Sequence, residues 1–134
     1  MSRNAVALAK ASYQRCQDVP GFFETFYRRF FEACPAARPM FAKTDFSRQH
    51  KLLQHTIGLL LVFDQQRGEG PNLLSRVAER HGRNDLKVHP SYYKDFVESL
   101  IQTAREVDPQ FTAGTEAAWR EAIAAGIAYM KSKA

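Results

Sequence analysis

The sequence predicts an all-α protein. Breaks at Pro and Gly leave intervals of helical length, no interval alternates polar and apolar residues as a half-buried strand does, and apolar residues recur at three- and four-residue spacing. The breaks fall at Pro20-Gly21, Cys34-Pro35 with Pro39, Gly68-Glu69-Gly70-Pro71, Gly82, His89-Pro90 and Pro109. They delimit about six main helices, each bounded by its own start and stop signals.

In chain order, the first helix is expected near 3–18, behind Ser2 as a possible cap, and the second near 20–34, ending at Cys34-Pro35. A short turn follows from Pro35 to Met40. Asp45 then suits the cap of a helix over 45–65, whose inward face reads Phe46, Leu53, Ile57, Leu60 and Leu61. Pro71 suits the first position of a helix over 71–81 that Gly82 ends. Pro90 opens the next, over 90–107, with Tyr93, Phe96, Val97, Leu100, Ile101 and Ala104 on one stripe. Thr112 suits the cap of the last helix, over 113–131, where Trp119, Ile123, Ile127 and Met130 align, with Gly126 placed to let a neighbouring helix approach.

The totals narrow the class. With 134 residues, 45% apolar, ten Phe and five Tyr, the chain builds one core without disulfides or structural zinc, and we expect a single domain over 1–134. Nineteen basic residues against fourteen acidic give a charge of +5, but the signs are mixed along every segment, so nucleic acid is not an expected partner. The nearly apolar run from Ile57 to Phe63 is too short for a bilayer, and Cys16 and Cys34 show no CxxC spacing. No secretory leader is evident, so a soluble cytoplasmic protein with reduced thiols and no membrane association is the expectation.

Four polar side chains interrupt the apolar stripes. His81 ends the series Leu74, Val77, Ala78; Gln49 lies between Phe46 and Leu53; Tyr27 follows Phe23 and Phe26; Tyr93 opens its helix. Taken singly, each is accounted for as a satisfied core or rim residue. Together they call for a flat, apolar, metal-bearing ligand. One neutral imidazole at the end of a helix suffices for an iron whose equatorial positions a porphyrin fills. His50 and His55 are five apart without an HExxH pattern, and neither cysteine completes a zinc set with them by spacing.

The segments FYRRFFEACPAARPMF, TDFSRQHKLLQHTIGLLLV, RVAERHGRNDLKVHPSYY and EAAWREAIAAGIAYM resemble consecutive helices of bacterial single-domain globins of the Vitreoscilla-haemoglobin and flavohaemoglobin lineage. The resemblance covers almost the whole chain. It rests most specifically on Tyr27 ahead of the Pro-rich turn, Phe41 after it, and Arg80-His81 followed by an aromatic near residue 93.

The resemblance implies a globin fold packed around a haem b pocket, with His81 as the proximal iron ligand beside Arg80 and Phe41 wedged against the haem. Tyr27 and Gln49 would face the bound gas, Leu53 would cover it, and Val77, Val88, Tyr93 and Phe96 would line the proximal side. A one-residue shift between Ala42 and Ser47 makes Arg48 or His50 the rival to Gln49; the register that turns Phe46, Leu53 and Ile57 inward together selects Gln49.

The implied ligands are O2, CO and NO. The implied function is reversible O2 binding, with nitric oxide dioxygenation where a separate reductase supplies electrons, because the chain ends at Ala134 without the reductase part of flavohaemoglobins. The late Glu that joins the proximal His and the Tyr matched by Tyr93 in that lineage has no counterpart here, which weakens any expectation of peroxidase-like chemistry. A haem-based gas sensor or electron-transfer haem protein is the alternative function, and a haem-free interaction module a third.

Overall fold

The computed structural model describes residues 2–63 and 91–132. The expected helix over 71–81, and with it Val77, Arg80 and His81, together with Val88, lies outside the described residues. Within them the chain forms α1 (Ser2–Gln17), α2 (Phe22–Ala33), a 3-10 helix (Pro35–Phe41), α3 (Phe46–Val62), α4 (Tyr92–Val107) and α5 (Ala113–Ser132). No strand occurs among the described residues.

Local chemistry moves several boundaries from their expected places. Gly21 adopts φ +86°, a left-handed conformation open to glycine at little cost, so α2 starts at Phe22 instead of residue 20. It stops at Ala33 because Cys34, at φ −134° and ψ 72° ahead of Pro35, leaves the helical region. Asp45 caps α3 by accepting from the Ser47 amide at 3.0 Å. At the head of α5 two threonines cap reciprocally: the Thr115 amide donates to Thr112 Oγ1 at 3.2 Å, and the Thr112 amide to Thr115 Oγ1 at 3.1 Å. Ser2 lies within α1 and does not precede it.

Helix α1 packs chiefly on α5, α2 on α4, and α3 on α5. The seam is dense: Trp119, Leu100, Ile101 and Ile57 are fully buried. Gly126 lies where α5 crosses α3, and a Cβ there would sit 2.8 Å from Leu60 Cδ2 and 3.4 Å from the Leu60 Cα. Leu60 is itself buried and has little room to yield.

Gly126→Val is therefore expected to cost about 1–3 kcal/mol by overpacking, a fall of roughly 4–12 °C in melting temperature. Gly58, on α3, supplies the contrast, since a Cβ there meets nothing within 4 Å. Gly58→Ala should raise the melting point through its better helix propensity. Thermal denaturation of the two variants checks both signs.

One polar network crosses the core. The Asp108 carboxylate, at the end of α4, accepts from Ser12 Oγ at 2.6 Å, Arg15 Nε at 2.6 Å, Arg15 Nη2 at 3.0 Å and the Gln110 amide at 2.9 Å. Trp119 Nε1 donates to Ser12 Oγ at 2.9 Å, so α1, the α4 end and α5 share one hydrogen-bonded knot. Burial opposes ionisation of Asp108, and its hydrogen bonds outweigh that effect to hold the carboxyl below its ordinary range.

Candidate functional site

Helix α2 carries two parallel aromatic rows. Phe22, Phe26 and Phe30 recur every four residues and are buried, forming the row that faces the core. Phe23, Tyr27 and Phe31 repeat the same spacing one residue on, and there the flanking phenylalanines are only half-buried. Tyr27 thus stands in a row lying between the core and the surface.

Helix α3 brings the second component. Its first turn is set by Asp45, whose carbonyl accepts from the Gln49 amide at 3.0 Å, so Gln49 projects one turn in from the cap. Gln49 Nε2 donates to the Tyr27 hydroxyl at 2.9 Å. Arg48 is exposed, while His50 lies at the rim with its ring nearly parallel to Tyr27 and its Nδ1 3.4 Å from Glu24 Oε1. The helix beginning at Phe46 therefore separates the three rival positions into an outward, an inward and a rim residue.

Around this pair the walls are aromatic. Phe26, Phe41 and Phe46 present edges to Tyr27 at centroid separations of 5.2, 5.6 and 5.4 Å, while Phe31 lies nearly parallel to it at 5.8 Å. Phe41 reaches this cluster from the end of the 3-10 helix and stacks on Phe46 at 6.2 Å. Leu53, buried, follows Gln49 one turn later on α3. On α4, Tyr93 is buried and Phe96 half-buried, with Phe96 edge-on to Phe26 at 5.2 Å. Tyr27, Gln49 and Phe41 are thus directly assembled, Leu53 lies next along the same helix, and Tyr93 and Phe96 come from α4.

The electrostatics make Tyr27 a donor. Burial pushes its phenol up to about 12, with the Gln49 hydrogen bond pulling weakly the other way, so it stays protonated at neutral pH. Its oxygen already accepts from Gln49, and its own proton has no acceptor among the described residues. In this aromatic-walled setting the buried hydroxyl keeps a proton with which it can donate to an acceptor. Among the described residues no three His, Cys, Asp or Glu side chains converge.

An open groove of about 530 Å³ lies elsewhere, lined by Gln17, Lys51, Gln54, His55, Gly58 and Leu59 on the exposed side of α3. It shares no residue with the Tyr27–Gln49 pair. The sequence pattern does not reveal Phe31, Phe46 and His50 as neighbours of Tyr27. The doubled FF–FY–FF rhythm of α2 carries a signal for Phe31, whereas His50 meets Tyr27 only through tertiary packing.

The family model described as Globin matches residues 24–130. A crystallised protein of Pseudomonas aeruginosa PAO1, described as structurally highly homologous to a human hemoglobin, shares 34% identity with this chain. The alignment covers 96% of this chain and 97% of that one, with a TM-score of 0.89. Among curated proteins no match is found. No described helix is long and apolar enough to cross a membrane. With the family model spanning most of its length and a structural match at 34% identity covering 96% of it, the chain belongs to the globin family.

Proposed function

We propose that this globin holds haem b through His81 and binds O2 reversibly, with Tyr27 and Gln49 forming the polar face of the gas site. Membership of the globin family carries the coarser part, since globins bind haem and take small gases such as O2. The observation supporting the finer part is the Gln49-to-Tyr27 hydrogen bond of 2.9 Å inside an aromatic wall. Haem, when bound, supplies the iron at which a diatomic gas docks.

The chain's own residues then do three things. Gln49 holds the Tyr27 oxygen, leaving the phenol proton for a negatively polarised atom of the gas. Phe41, Phe46 and Leu53 exclude water, which strengthens that hydrogen bond. Burial keeps the phenol neutral, so the site offers a donor and no competing anion. Val77, Arg80, Val88, Tyr93 and Phe96 complete the proposed cofactor-lining set, opposite the gas.

Dioxygenation of nitric oxide is the activity proposed for the reduced protein. NO, O2 and one electron give nitrate, the electron coming from a separate reductase. CO and NO are proposed as further ligands, and the cytoplasm as the location.

Absorption spectra test the reading. Added haem should give an intense Soret band that shifts on reduction and again with CO, and His81→Ala should leave the haem unbound. A chain that stays colourless after haem addition sinks the proposal; full haem uptake by His81→Ala removes His81 as ligand.

A further inference from the structure

We infer that His50, at the rim beside Glu24, is a positioning residue for Tyr27: its ring, laid nearly parallel on the tyrosine, sets the plane in which the phenol proton is presented. The inference rests on the reading of Tyr27 as donor to a bound gas. Its basis is a geometric gap that Gln49 leaves open.

A hydrogen bond to the Tyr27 oxygen fixes where that oxygen lies. It does not fix the ring, because the oxygen lies on the axis about which the ring turns, and rotation leaves the 2.9 Å contact nearly unchanged. The phenolic proton prefers the ring plane, through conjugation of the oxygen with the ring. Whatever sets the plane therefore sets the direction of donation. A flat neighbour lying near-parallel to the ring resists its rotation by collision, because the turning edge must sweep toward that neighbour's face.

His50 is such a neighbour. Its ring lies 16° from the plane of Tyr27 with centroids 5.7 Å apart, and 29° from Phe23 at 6.0 Å. Phe31 is the other near-parallel partner of Tyr27, at 28°. The imidazole is 23% exposed, against 67% for Glu24, whose carboxylate lies 3.4 Å from Nδ1. A polar contact this exposed contributes little to stability. What it supplies is orientation, drawing the polar edge of the imidazole outward while the flat face stays on Tyr27. A histidine meets both requirements at a rim, where phenylalanine meets only the second.

The test uses the haem-loaded protein with isotope-labelled tyrosine. NMR exchange reads the flip rate of the Tyr27 ring, and the C–O stretching band of the CO-bound protein reads the alignment of the nearby donor. His50→Leu keeps the bulk but loses the flat face, so the ring should flip about two- to tenfold faster, and the C–O band should broaden or split. His50→Phe, which keeps the flat face but loses the Glu24 contact, and Glu24→Ala, at the exposed surface, should both move the two readouts in the direction of His50→Leu by less. Parental flip rate and band in His50→Leu overturn the inference, as does a His50→Phe variant that lies no closer to the parent than His50→Leu. If Tyr27→Phe leaves the C–O band unmoved, the reading of Tyr27 as gas donor fails instead, and the flip rates alone then judge His50.

Discussion

Tyr27→Phe is expected to release bound O2 about tenfold to a hundredfold faster than the parent globin while retaining its haem, as read by stopped-flow displacement. The magnitude follows from the loss of one charge-assisted hydrogen bond, roughly 1.5–3 kcal/mol, at tenfold per 1.4 kcal/mol. A haem iron held by this chain would leave negative charge on its O2 ligand, so the Tyr27 phenol would strengthen the hold on that gas. CO acquires much less charge, and its release should change far less. The substitution also removes the acceptor of the Gln49 amide, which can then turn toward the gas or toward water. Gln49→Leu should accordingly have a smaller effect than Tyr27→Phe, because the phenol keeps its proton and loses only its anchor. An unchanged O2 off-rate in Tyr27→Phe removes the phenol from the gas site.

The Tyr27–Gln49 pairing and the helices that carry it were readable from the sequence in proportion to how local their causes are. Asp45 capping α3 is a four-residue matter, and it fixes the register that puts Gln49 inward and Arg48 outward. The apolar stripes of α4 and α5 reappear as buried faces because helix periodicity alone dictates them. Gly126 is legible on the same grounds: a lone glycine inside an apolar stripe forfeits helix propensity, and the close approach of Leu60 is what requires it. What the pattern could not convey is which faces meet. The stack of His50 on Tyr27 depends on how α2 and α3 pack, and nothing in the spacing of either helix marks it. Ser12 and Arg15 are harder still. Spacing alone offers Arg15 the nearby Asp18, three residues on, whereas the carboxylate that Ser12 and Arg15 bind lies 96 and 93 residues away.

That distant carboxylate carries the second large expectation: Asp108→Ala should destabilise the fold by about 3 kcal/mol at neutral pH, with the melting temperature falling by roughly 10 °C or more. The side chain is wholly buried and accepts four hydrogen bonds, two of them from one guanidinium. Its removal leaves the Ser12 hydroxyl and the Gln110 amide without that acceptor, and loosens the link from Trp119 through Ser12 that joins α1 to α5. Asp108→Asn keeps the shape and one acceptor oxygen, so it should lie between Ala and the parent. Acid should separate charge from shape. Because the folded-state pKa of Asp108 is held below its unfolded value, its ionic contribution is complete above the ordinary carboxylate range and is lost as pH falls through the folded value. Urea melts of the parent and Asp108→Asn should therefore differ most near neutrality and converge in strong acid, where both side chains are neutral. A gap that persists undiminished at low pH would show that the knot acts through packing alone and that the Arg15–Asp108 charge contributes nothing to the fold.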